Sequence, residues 1–91
     1  MAETLSFSKA GSAWEASYAS EGDTVVQVER AEGGWLNVYA NIDGMERKAI
    51  ASWSPHDGDG NMIFKVCVPA GLTVTLESES EVTAAKRQAV E

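Results

Sequence analysis

Apolar and polar side chains alternate in short runs along most of the 91 residues, and turn-forming residues break the runs. A period of two predicts strands, because successive side chains of an extended chain point to opposite faces. Thr4 to Lys9 is the first run, with Leu5 and Phe7 on one face. In Ala13 to Ser20, Trp14, Ala16 and Tyr18 oppose Glu15, Ser17 and Ala19. Thr24 to Arg30 follows the turn Glu21-Gly22-Asp23; its Val26 and Val28 face in, and Gln27 and Glu29 face out. β-Branched side chains of this kind suit a pleated surface. Ala31-Glu32-Gly33-Gly34 predicts a hairpin, since glycine admits positive φ at little cost.

Trp35 to Ile42 is the most regular run. Leu36, Val38, Ala40 and Ile42 alternate with Trp35, Asn37, Tyr39 and Asn41. Asp43-Gly44 predicts a type I′ turn into a return strand, Met45 to Trp53. Ile50 breaks the parity of Ala49, Ala51 and Trp53, which predicts a bulge. After the loop Ser54 to Asn61, Met62 to Val68 and Leu72 to Glu77 resume the alternation around the turn Pro69-Ala70-Gly71. The segment 78–91 reads either as an extended edge strand or as a short terminal helix, with Lys86 and Arg87 lying against Glu77, Glu79 and Glu81. Seven or eight strands joined by short connections predict an all-β fold. The expected form is one antiparallel β-sandwich domain spanning 1–91, jelly-roll or immunoglobulin-like.

Charge narrows the functions. Seven Lys and Arg face fourteen Asp and Glu, a net charge of −7, so nucleic acid is not an expected partner. No apolar run approaches the length of a membrane span and no signal-peptide pattern is present, which predicts a protein that is cytoplasmic when made. One cysteine allows no internal disulfide.

The outward positions of the fourth run carry the best candidate contact surface. Trp35, Asn37, Tyr39 and Asn41 share one parity, and Trp53 on the return strand extends them. Rings alternating with amides suit a sugar platform, in which rings cover CH faces and amides bond hydroxyls. They equally suit a second core layer or an interface between copies, where aromatics are enriched. In His56 to Asn61, Asp57, Asp59 and Asn61 match the first ligand positions of a calcium loop. Met62 then stands where that loop needs Gly and Val68 where it needs Glu, which favours a solvated turn. Cys67 and His56 are the sole thiol and imidazole; Cys67, between Val66 and Val68, reads as buried and inert. There is no G-x-S-x-G, phosphate loop or CxxC, so neither an enzyme nor a cofactor is expected.

Gly22 to Arg30, then Gly33-Gly34, Val38-Tyr39 and Ser78-Glu79-Ser80-Glu81-Val82-Thr83, resemble short all-β proteins of prophage structural regions in gut Bacteroidetes. The resemblance covers most of the chain in strand-and-turn patterns that carry no chemistry. It implies a virion-associated structural or decoration protein, oligomeric, without catalytic residues. The expectation is therefore a non-catalytic interaction module, binding copies of itself or another virion protein through a strand face. The alternative is a carbohydrate-binding module that meets a surface glycan with the aromatic stripe.

Overall fold

A computed structural model describes residues 2–30, 32–53 and 60–90. They form nine strands: β1 (Ala2–Thr4), β2 (Ser8–Ala10), β3 (Ala13–Ala19), β4 (Thr24–Arg30), β5 (Leu36–Asn41), β6 (Lys48–Trp53), β7 (Met62–Val66), β8 (Thr73–Ser78) and β9 (Val82–Ala89). All pairings are antiparallel, in two sheets ordered β1-β9-β4-β7 and β2-β3-β8-β5-β6. The chain is an all-β sandwich, as the alternation requires.

The strand order selects between the two expected forms. With the three-residue β2 set aside, the first strand pairs with the last, the second with the second-last, and so inward: β1 with β9, β3 with β8, β4 with β7, β5 with β6. These pairs fall alternately in the two sheets. That is a long hairpin rolled on itself, the jelly-roll plan. In the immunoglobulin plan the first strand instead lies beside the second.

Between the sheets lie Val26 and Val28 of β4, Leu36 and Val38 of β5, and Val74 and Leu76 of β8, all at most 1% exposed. Each contributes about 1.5–3 kcal/mol by leaving water. Their positions follow from the alternation, but several connections do not. The run Thr4 to Lys9 is not one strand: the chain leaves the four-stranded sheet after Thr4 and enters the other at Ser8, and Leu5 turns into the core. Gly33-Gly34 does not close a hairpin, because β4 and β5 belong to different sheets. Gly34 adopts φ +134° there, a backbone conformation that residues with a Cβ rarely take. At Asp43-Gly44 only glycine has positive φ (+87°), and Met45 N–H donates to Ile42 O at 2.9 Å. That fits a type II turn, whereas type I′ needs positive φ at both central residues.

The bulge is present. Val38 faces Ala51 and Tyr39 faces Ala49, leaving Ile50 without a partner on β5. The C-terminal segment is strand, not helix, yet it is no edge: β9 lies between β1 and β4. It pairs with β4 along nearly its whole length and with β1 at Lys86, Arg87 and Gln88, which makes it a central element of its sheet that helix propensity at Ala84 to Ala89 does not override. No helix among the described residues is long and apolar enough to cross a membrane.

Candidate functional site

The outward stripe of β5 is partly as expected. Asn37, Tyr39 and Asn41 alternate with the buried Leu36 and Val38 and so lie on the outer face of the five-stranded sheet. Tyr39 and Asn37 are tied to their neighbours. The Tyr39 hydroxyl donates to Glu77 Oε1 at 2.8 Å, and Asn37 Nδ2 donates to Tyr39 Oη at 3.3 Å and Glu77 at 3.4 Å. Ser52 Oγ donates to Asn37 Oδ1 at 2.7 Å. Arg47 lies 4.3 Å above the Tyr39 ring and bridges Glu15 (3.2 Å) and Glu77 (3.6 Å), two carboxylates directly opposite in the β3–β8 register. Like charges so placed repel, and the guanidinium offsets this. The bond to Glu77 raises the Tyr39 pKa above its ordinary value, with burial adding to it. The amide and phenol expected to meet a ligand are spent within the sheet.

The three rings do not form one platform. Trp35 stands one residue ahead of β5 and is held by its backbone: its N–H donates to Glu79 Oε1 (3.1 Å), and its carbonyl accepts from Glu79 N–H (3.0 Å). Trp53 is opposite the buried Leu36, so it faces inward. Its ring lies 4.6 Å from that of Phe64 on β7, between the sheets. The inserted Ile50 changes the parity of β6, and parity counted from the turn therefore misplaces Trp53.

Arg30 carries a signal that periodicity does not weigh. It ends an alternating strand on the inward parity, as a 6% exposed cation. Its Nε donates to Gly60 O (2.9 Å), its Nη1 to Ser78 Oγ (3.2 Å) and Trp35 O (3.4 Å), and its backbone N–H to Asn61 Oδ1 (3.2 Å). Burial pulls its pKa down and Glu79 opposes this. The side chain joins the ends of β4 and β8 to the entries of β5 and β7. Gly60 lies so flush on this hub that a Cβ would come to 2.6 Å from the Glu32 carbonyl and 2.7 Å from that of Arg30.

Of the calcium candidates, Asp57 and Asp59 lie outside the described residues, as does His56. The Asn61 oxygen accepts from Arg30. Among the described residues no group of three or more His, Cys, Asp or Glu is placed to hold a metal ion. Cys67 is exposed, not buried: β7 ends at Val66, and the outward parity continues into Cys67. Lys86 and Arg87 do not meet the acidic run. Arg87 points between the sheets, 4.6 Å from the Tyr18 ring centroid, and pairs with Glu3 (3.1 Å) and Glu21 (3.6 Å).

Two concave surfaces among the described residues bear on contacts with other molecules. The first is an open cleft of about 570 Å³ beside Arg30, where Trp14 lies with Glu32, Glu79 and Glu81. The second is the side formed by β6 and β7, which among the described residues are terminal strands of their sheets. There a groove of about 220 Å³ reaches Val38 and Val66 of the core between Ile50 and Trp53 on one lip and Lys65 and Cys67 on the other. Neither β6 nor β7 contains an acidic residue, although the chain has fourteen. In comparisons with known proteins, no family model, no curated protein and no solved structure matches the chain.

Proposed function

We propose that the chain is a non-catalytic structural module that associates with copies of itself through the β6–β7 side. The observation that carries this reading is the unguarded edge. Among the described residues no strand pairs with the outer side of β6 along Lys48-Ala49-Ile50-Ala51-Ser52-Trp53, which carries one charge in six residues. Ile50 is 48% exposed beside it. Soluble proteins normally blunt such an edge with charge, proline or a covering element, and otherwise use it for pairing. The bulge at Ile50 bends the edge but places no charge on it. The resemblance to prophage structural proteins supports a virion as the setting. Sedimentation velocity of the wild type and Ile50→Lys tests the reading. The wild type is expected to sediment as an oligomer and the variant as a folded monomer. A monomeric wild type at all accessible concentrations would overturn it.

A further inference from the structure

The bulge gives β6 an uncommon order of faces. Lys48, Ala51 and Trp53 stand opposite Ala40, Val38 and Leu36, the inward residues of β5. Ala49 and Ser52 stand opposite Tyr39 and Asn37, on the outer face. The extra residue, Ile50, lines the groove together with Ala51 and Trp53. From Lys48 to Trp53 the order is therefore in, out, in, in, out, in, which reads the same from either end. A regular strand of six residues alternates strictly, so its order is inverted when read from the other end.

This bears on pairing with an identical strand. A two-fold axis sets two copies of an edge strand antiparallel, and side chains directly opposite share a face of the joined sheet. In a regular six-residue strand paired along its full length, every inward residue would oppose an outward one. With the bulge, full-length pairing sets like against like. Lys48 then opposes Trp53 of the second copy, Ala49 opposes Ser52, and Ile50 opposes Ala51. The stem of Lys48 lies along an indole, the outer face carries only small side chains, and the aliphatic residue at the centre meets alanine. The two lysines stand at opposite ends, five residues or roughly 17 Å apart, beyond the screening length of about 8–10 Å.

Exposure points the same way. Among the described residues five large hydrophobic side chains are exposed, and three of them, Ile42 (64%), Met45 (67%) and Ile50 (48%), belong to the hairpin of β5 and β6. Pairing along β6 covers Ile50 and carries the turn with Ile42 and Met45 alongside the second copy.

Resting on the self-association proposed above, we infer that it pairs β6 with β6 of a second copy, antiparallel and centred between Ile50 and Ala51. The two five-stranded sheets become one continuous sheet. Both copies use the same surface, so association closes at the dimer.

Disulfide trapping tests the register, in a Cys67→Ser background that removes the exposed native thiol. Ala49→Cys and Ser52→Cys are made as separate proteins; both positions are exposed, and circular dichroism confirms the fold. An equimolar mixture is expected to oxidise to a linked dimer about tenfold faster than either variant alone, because a disulfide reaches only about 7 Å between Cα atoms. Positions 49 and 52 of the two copies are directly opposite, about 5 Å apart, whereas like positions are three residues or roughly 10 Å apart along the strands. Sedimentation is expected to show a dimer and nothing larger. If the wild type self-associates but the mixture links no faster than the single variants, the β6 pairing is overturned and self-association stands. Assembly beyond the dimer overturns the pairing as well. A monomeric wild type overturns both.

Discussion

The two open sides of the sandwich are built differently. On the side of β1 and β3, Arg87 turns inward over Tyr18 and is held by Glu3 and Glu21, with its side chain only 14% exposed. Arg87 stands on β9, one strand in from the terminal β1, and with Glu3 of β1 and Glu21 it places charge in the gap at this side, where a second chain would have to bury it. Among the described residues, Trp53 and Phe64 meet across the gap on the side of β6 and β7, and the core valines Val38 and Val66 line a groove there. The contrast shows how one sandwich can both refuse and invite contact: an inward cation on one flank, and a groove walled by apolar rings on the other.

Removing Arg30 is expected to have the largest effect on this arrangement, because Arg30 fixes where β7 enters. Arg30→Ala leaves the Gly60 and Trp35 carbonyls without that donor, and a cost of about 2–4 kcal/mol is expected. The urea midpoint measures it, and an unchanged midpoint would mean that the entry of β7 is set elsewhere.

The closed side is weaker. Arg87→Ala is expected to cost about 1–2 kcal/mol, mostly by uncovering Tyr18. Glu3 and Glu21 are 57% and 69% exposed, so their ion pairs add little. The same variant is expected to increase association, because it turns the closed side into an open one. Sedimentation of Arg87→Ala beside the wild type reads this, and no increase would detach Arg87 from any guarding role.

At the open side the expectation reverses. Ile50→Lys is expected to shift stability by less than about 0.5 kcal/mol, as an exposed substitution does, while removing association. A large fall in thermal midpoint would place Ile50 in the core and not at an interface.

The smallest effect is one of pH. The bond to Glu77 raises the pKa of Tyr39, and burial raises that of Tyr18, with the Thr24 hydroxyl and Arg87 opposing. Both phenols therefore ionise later in the folded chain than in the unfolded one, whose tyrosines titrate near 10. The stability they confer is complete below that pH and is lost as pH rises through the folded values. Phenolate absorbance is expected to show Tyr39 ionising in the folded protein and Tyr18 only as the fold is lost. Tyr18→Phe checks the assignment, since phenylalanine keeps the ring and removes the titrating hydroxyl.

Alternation alone assigned Val26, Val28, Leu36, Val38, Val74 and Leu76 to the core, and composition set the acidic surface. Both follow from local properties, the period of the extended chain and the count of charges. The parity of Ile50 also announced the bulge, because an extra residue leaves a mark within its own strand. The stripe of Asn37, Tyr39 and Asn41 was legible for the same reason, but its use was not. Whether an outward amide meets solvent, a ligand or a neighbour depends on which strand lies beside it, and β8 brought Glu77.

Everything lateral was decided by the tertiary structure. A strand's period does not say which sheet it joins, so β9 at the centre of its sheet, the crossing at Gly33-Gly34 and the split between β1 and β2 had no local signature. Arg30 resembles an ordinary strand end until the folded chain brings Gly60, Trp35 and Ser78 to its guanidinium from 5 to 48 residues away. The difference between the guarded and unguarded flanks has the same origin. Arg87 and Trp53 both face inward, and only the neighbours supplied by the roll of the chain make one a seal and the other the wall of an open groove.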